Sequence, residues 1–338
     1  MRVTVERFQR LHTRGAAALL AARHARDRAR DERLPVDYAS PDACAPLIEQ
    51  ALAVNGAYGG VALVDGEMAG YQIGEPMLVS PTDMSASFFA PRSMNVWYPA
   101  HAAQEGAEYD VYRALYAFVA AHFVEAGYFD HNIFVSASDA AVEEACVSLG
   151  FGRLVTAAIR TLDGAPPVSA SGTVDVHEAS SEDARVIEEL AEELLLHHTH
   201  SPIFMPYPRE STVGHQAFQS QLLADREANP HFVAYRDGKA LGMNTFMAPD
   251  WLNELVRPEG TWYLYQGVVS GAARGEGVGR AILRRGLEWA RERGYAHVGL
   301  HFASANISAA RFWLGNGFTP VEHRMSRHVD ERIAWANR

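Results

Sequence analysis

The sequence predicts an α/β protein, more closely an α+β mixed sheet flanked by helices, built twice in tandem. Three observations predict it. An extended run rich in aromatic and β-branched residues, Thr261 to Val269, leads through a glycine-rich turn into Ala281 to Arg293, whose apolar residues Ile282, Leu283, Leu287 and Ala290 recur at helical spacing. Local patterns then repeat along the chain in one order and register. Finally, 338 residues exceed a usual single domain, and a hydrophobic fraction of 48% is enough to pack two cores.

The repeat is read from paired signals. Asp65-Gly66 follows the apolar run Gly60 to Val64 as Asp237-Gly238 follows Phe232 to Tyr235, each a hairpin turn. Glu125-Ala126-Gly127-Tyr128 closes a helix as Glu292-Arg293-Gly294-Tyr295 does, and Ser148-Leu149-Gly150-Phe151 matches Gly315-Asn316-Gly317-Phe318. The last two pairs share one offset, since 294 − 127 and 318 − 151 are both 167. The expected division is residues 1–163, a linker at 164–172 with Gly, Pro, Ala and Ser composition, and residues 173–338.

Within the second copy a strand is expected near Thr173 to His177. Ser180 or Ser181 is placed to cap a helix carrying Val186, Ile187, Leu190, Leu194 and Leu195. His197 to Pro208 holds three prolines and cannot continue it. Gln216 to Glu227 reads as a second helix, Phe232 to Met247 as strands, and Val298 to Phe302 as the strand after the glycine-rich unit. In the first copy the basic run Arg23 to Arg33 is interleaved with Asp27, Asp31 and Glu32, which reads as a solvated helix face.

Composition narrows the function. A formal charge of −11 opposes a nucleic-acid partner, and no apolar run approaches the ~18 residues of a membrane span. The N-terminus lacks an apolar signal core, and Cys44 and Cys146 suggest no disulfide framework, so a cytoplasmic protein is expected. Homo-oligomerisation stays open.

The chemistry centres on Val268-Val269-Ser270-Gly271-Ala272-Ala273-Arg274-Gly275-Glu276-Gly277-Val278-Gly279-Arg280. Glycines leave backbone amides bare at a helix N-terminus, where a phosphate binds well, and Arg274 and Arg280 add positive charge. The spacing is neither Gly-x-Gly-x-x-Gly nor a P-loop. Arg-x-x-Gly-x-Gly resembles the pyrophosphate loop of the GNAT superfamily of acyl-CoA-dependent N-acyltransferases. Asn306-Ile307-Ser308-Ala309-Ala310-Arg311-Phe312-Trp313, running on to Gly317-Phe318, is similar to that family's Asn-x-x-Ala-x-x-Phe-Tyr-x-x-x-Gly-Phe segment.

The resemblance implies two GNAT-like domains, each a mostly antiparallel, splayed sheet with helices on its faces. It implies acetyl-CoA as cofactor and an amine of a small molecule or peptide as acceptor. It assigns the cofactor to Val268 and Val269 through their backbones, to Arg274, Gly275, Glu276, Gly277, Val278, Gly279 and Arg280, and to Asn306, Ser308 and Trp313. His301 falls where ribosomal-protein alanine N-acetyltransferases carry a catalytic glutamate, so it is one candidate base; the alternative is a strand histidine bonded to a neighbouring side chain. Tyr265, acting through a water, is the second candidate. Trp313 replaces the tyrosine expected near the thiol, which leaves the acid unassigned, with a water or Ser308 as alternatives. His200, Phe204 and Tyr207 fall in the segment that rims the amine pocket in this family.

His197-His198-Thr199-His200 also suggests a metal, but no Cys or nearby carboxylate completes a ligand set, so none is expected. Set back by 167 positions, Arg274, Gly275, Gly277 and Gly279 become Ala107, Glu108, Asp110 and Tyr112, so the first copy is expected to have lost its cofactor and to persist as a packing partner, the alternative being that it holds part of the acceptor. A mycothiol-synthase-like transferase and a non-catalytic acyl-CoA sensor remain alternatives.

Overall fold

The structure is a computed structural model describing residues 2–165, 167–169 and 174–336. The linker residues Pro166 and 170–172, and Thr173, lie outside the described residues. The first half runs β1 (Val3–Arg7), α1 (Thr13–Arg30), α2 (Pro41–Ala53), β2 (Tyr58–Val64), β3 (Glu67–Leu78), β4 (Arg92–Val96), β5 (His101–Ala103), α3 (Glu108–Glu125), β6 (Asp130–Ser136), α4 (Ala140–Ser148) and β7 (Gly152–Thr161). The second half repeats it: β8 (Asp175–Glu178), α5 (Ala184–His198), α6 (Thr212–Ala224), β9 (His231–Arg236), β10 (Lys239–Met247), β11 (Thr261–Val269), α7 (Val278–Glu292), β12 (His297–Ala303), α8 (Ile307–Gly315) and β13 (Thr319–His328). Among the described residues the two orders differ in that β4 and β5 stand where the second half has β11.

Local chemistry sets the corners. Asp65 and Gly66, like Asp237 and Gly238, all have positive φ, which turns β2 into β3 and β9 into β10 with the twist a hairpin needs. Ser180 caps the turn that opens α5. In α6, Gly214 faces the backbone of 82–84, where an added Cβ would stand 2.5 Å from the Thr82 carbonyl oxygen. That close approach draws a first-half loop against a second-half helix.

The two halves share one sheet. Its order is β1-β2-β3-β4-β6-β13-β7-β12-β11-β10-β9-β8, with β5 paired to β3. The two last strands have therefore changed places: β13 pairs with β6 of the first half, β7 with β12 of the second, and the two pair with each other. Each copy's sheet is completed by the other's final strand.

Two large cores follow. One collects Leu20, Ile48, Tyr71, Val119 and Phe123, mainly from the first half. The other packs Ile282, Leu283 and Leu287 of α7 against Phe232, Phe246 and Leu264 of the second-half sheet. Arg23 and Asp27, expected on a solvated face, are buried instead. The Arg23 guanidinium donates to the Tyr98 and His101 carbonyls (2.8 and 2.6 Å), and the Asp27 carboxylate accepts from the Tyr98, Ser136 and Ser138 hydroxyls. None of the described helices is long and apolar enough to cross a membrane.

Candidate active site

The site opens where two parallel strands part. β11 and β12 pair from Thr261–His297 to Leu264–Leu300 and no further. Beyond that point β11 follows β10, and β12 follows β7. The cause lies at Tyr265: on β10, Thr245 faces Gln266 while Phe246 faces Leu264, so Tyr265 is an extra residue in a bulge. A bulge bends its strand and sharpens the local twist. It also resets the alternation of faces. Trp262 and Leu264 pack on the α7 side before the bulge and Val269 does so after it, while Val268 joins Ile187 and Leu190 beneath α5.

Past the bulge, the edge of β11 that faces the parted β12 has no strand partner. At Gly267 a side chain is excluded, because a Cβ would stand 2.9 Å from the Trp313 ring. Bare backbone and a buried indole thus line the two sides of a slot.

At the end of the slot lies the glycine-rich turn. Gly275 and Gly277 both have φ +85, a left-handed conformation that glycine adopts without strain, and Gly277 is the residue that opens α7. No side chain caps this helix. The first intrahelical bond recorded there is donated by Ala281 to the Gly277 carbonyl, so the amides of Val278, Gly279 and Arg280 face outward at the positive end of the helix dipole. Nothing lies within 4 Å of a Cβ built at Gly275. Arg274 and Arg280 are exposed beside the turn, while Glu276 pairs with Arg236 and is drawn aside. These features fit a pyrophosphate.

Below the parted strands is a cavity of about 530 Å³, the size of a small-molecule site. Its floor is the sheet. His301 on β12 lies opposite Ala157 on β7, which lies opposite Glu322 on β13; one pleat along, Ala303, Val155 and Arg324 form a second row. Its walls are aromatic: Trp251, Tyr263 and Tyr265 come from the second half, and Phe88, Trp97 and Phe134 from the first.

His301 Nδ1 is bonded to the Tyr263 hydroxyl at 2.8 Å, leaving Nε2 as the nitrogen for a ligand. Burial, reinforced by the Arg324 charge, pushes the imidazole down to about 4, so it is neutral across the neutral range. Burial raises both Tyr263 and Tyr265 well above the usual phenol value, so neither is a phenolate near neutral pH.

The sequence-derived residues divide on this geometry. His301, Tyr265, Asn306 and Trp313 all line the cavity. The backbone of Val268 and Val269 leads from it to the turn that carries Arg274 to Arg280. Ser308 is exposed and donates to the Asn306 side chain (2.8 Å), which also caps α8. His200 and Phe204 are exposed, and Tyr207 packs edge-on against His215; none of the three lines the cavity. Their neighbours His198 and Met205 do. Among the described residues no group of His, Cys, Asp or Glu is arranged to hold a metal.

Sequence reasoning missed Tyr263, Glu322, Arg324 and the whole first-half wall. Tyr263 had a signal, since it lies two residues before Tyr265 on the same strand and is level with Gly299, two residues before His301.

The corresponding place in the first half is filled. Glu108 stands where Gly275 does, and α3 begins there, so an added turn of helix replaces the loop. Tyr112, at the position of Gly279, reaches between the strands to His101 Nδ1 (2.5 Å), and His101 Nε2 bonds the Phe134 carbonyl oxygen on β6 (2.8 Å). The gap between β5 and β6 is stitched by side chains, and a void of only about 10 Å³ lies beside Tyr112.

Residues 193–318 match the Acetyltransferase (GNAT) family. This segment is a GNAT acetyltransferase domain. It spans α5 from Glu193 through Phe318, and so includes the turn, the slot and His301. No curated protein sequence matches the chain.

Among solved structures, the chain is similar to a GCN5-related N-acetyltransferase from Sphaerobacter thermophilus, with 16% identity over 96% of this chain and 95% of that one and a TM-score of 0.59. It is also similar to a glucosamine N-acetyltransferase region of a fungal multi-domain β-N-acetylglucosaminidase, with 13% identity over 96% of this chain and 38% of that one and a TM-score of 0.53. At such identities the likeness is one of fold. The first copy lies outside the matched segment; it keeps the strand and helix order of the second while side chains fill the place that corresponds to the slot.

Proposed function

We propose that the chain is an acetyl-CoA-dependent N-acetyltransferase that acylates a primary amine, with coenzyme A held by the second copy (173–338) alone. The observation that carries this reading is one continuous path, from the uncapped amides of α7, along the bare edge of β11, to His301 in the cavity. A cavity of about 530 Å³ closed by walls from both halves favours a small amine over a protein surface. The bound thioester supplies an activated acyl carbon.

The chain's own residues do the rest. The amides of Val278, Gly279 and Arg280, flanked by Arg274 and Arg280, hold the pyrophosphate. The backbone of Val268 and Val269 aligns the pantetheine arm, and the Trp313 indole packs against its end. Donors fixed on this rigid strand also stabilise charge that develops on the acyl oxygen.

Tyr263 holds the His301 ring so that Nε2 faces the amine and receives its proton. An imidazole near 4 holds a proton weakly and passes it on quickly. As the amine nitrogen takes the acyl group and the C–S bond breaks, His301 therefore relays the proton through water to the departing sulfur, which leaves as the free thiol. Tyr265 stands ready to orient that water.

The test is a panel of primary amines incubated with acetyl-CoA, read by free-thiol release and product mass. Thiol release that depends on the amine, with an acetyl mass increment on it, is the expected result. Coenzyme A binding without turnover on any amine would replace the enzyme reading with that of an acyl-CoA sensor.

A further inference from the structure

Glu322 and Arg324 are two residues apart on β13, point from the same face into the cavity, and are only 5% and 6% exposed. Three of their polar atoms have no partner among the described residues. Glu322 Oε2 is buried without a hydrogen-bond partner, and so are Nε and Nη2 of Arg324, whose guanidinium lies over the Phe89 ring at 4.5 Å. Leaving such groups dry and unpaired is costly, which makes them a prepared site for a ligand of complementary charge. Together they ask for a cation and an anion presented side by side.

The register fixes where that ligand's reactive end must be. Two strand spacings separate Glu322 from His301, about 10 Å between their backbones, and only Ala157 lies between them. Trp97 and Phe134 stand over the charged end and Tyr263 over the other. Aromatic faces of this kind receive methylenes and a passing ammonium equally well.

Resting on the proposed acyl transfer, we infer that the acceptor is an amino acid with a second, side-chain amine. Its α-ammonium and carboxylate seat on Glu322 and Arg324, and its distal amine is presented to His301. The alkyl chain crosses the small Ala157. β13, lodged between β6 and β7, thus carries the specificity of a site whose chemistry lies on β11 and β12.

Calorimetry on the full chain loaded with coenzyme A tests this without turnover. The probes are L-lysine, L-ornithine, cadaverine (no carboxylate), α-N-acetyl-lysine (no α-ammonium) and leucine (no distal amine). Lysine or ornithine is expected to bind at least about tenfold more tightly than each of the other three, the scale of a lost charge-assisted contact. Arg324→Met should erase the preference for lysine over cadaverine. The wild-type series stands alone if that variant does not fold.

With acetyl-CoA, the new amide should sit on the side-chain nitrogen. Cadaverine binding as tightly as lysine, or acetylation of the α-amine, overturns the inference while leaving acyl transfer intact. Lysine binding in the expected order with no thiol released from any amine has the opposite meaning: the recognition site stands and the transferase reading falls.

Discussion

Gly277→Asp separates cofactor binding from folding. Gly277 opens α7 at φ 85°, ψ −4°. Aspartate is among the residues that tolerate this region, at a cost of about 1 kcal/mol, and a carboxylate at a helix N-terminus returns a similar amount. The unliganded protein should therefore melt close to wild type. Coenzyme A faces a different balance. The carboxylate stands beside the amides of Val278, Gly279 and Arg280, competes for them and repels the pyrophosphate.

Two such contacts at roughly 1.5–3 kcal/mol each amount to roughly 3–6 kcal/mol, or a Kd raised by about 10² to 10⁴. Gly277→Asn, neutral and similar in shape, should lose less. Calorimetry gives the Kd directly, and melting adds a check: wild type at 100 times its Kd gains about 2.7 kcal/mol, whereas the aspartate variant at the same concentration gains almost nothing. An aspartate variant that melts normally and binds within about threefold of wild type would refute the helix-terminus reading.

Other outcomes follow from the same geometry. Calorimetry should give one coenzyme A per chain, and Tyr112→Gly should create no second site, because the turn of α3 beginning at Glu108 still covers the loop position. His301→Gln should bind coenzyme A normally and lose ~100-fold in kcat. The wild-type rate should stay free of a His301 limb until pH falls toward 4, well below the usual histidine range, in single-turnover measurements. A limb near 6.5 that the Gln variant lacks would contradict the buried, neutral ring.

Stability should fall on acidification from pH 7 to 5. His131, His231, His301 and His323 are all pushed down to about 4 by burial. The unfolded chain therefore binds more protons below about 6.5, at up to ~2 kcal/mol per histidine by pH 5. Glu322 and Glu75, pushed up by burial to about 8 and about 7, oppose this, since their ionisation costs stability as pH rises, but the histidines outnumber them. The Glu322 value is that of the ligand-free protein, and a cation seated there holds the side chain ionised. Denaturant midpoints that rise between pH 7 and 5 would show these rings to be solvated.

The elements most legible in the sequence were those whose signals are local. The aromatic and β-branched run of β11 ends at glycines, and its bounds, Thr261–Val269, are those read from the residues. The helix read as Gln216 to Glu227 instead runs Thr212–Ala224. Gly214 obscured its start, because it serves a close approach to the 82–84 loop that no single segment reveals.

Arg23 and Asp27 looked like a solvated face because alternating charges do not announce their partners, and theirs lie on segments far along the chain. The uncapped turn before α7 was readable as glycine spacing, and the filled counterpart in the first half as Tyr112 at the position of Gly279. Arg324 and Glu322 were not, since nothing in the pattern after Phe318 says that this strand inserts beside β6.

That insertion has a consequence for how the molecule is made. The middle of the sheet is closed by a strand far downstream of its neighbours, because Thr319–His328 slots between strands that end at Ser136 and Thr161. A nascent first half can form its hairpins and helices, but β6 must wait with an open edge until Thr319–His328 has been made. Contacts closed over such separations slow folding. A product truncated before Thr319 lacks this strand and leaves the edges of β6 and β7 that it covers open to other strands.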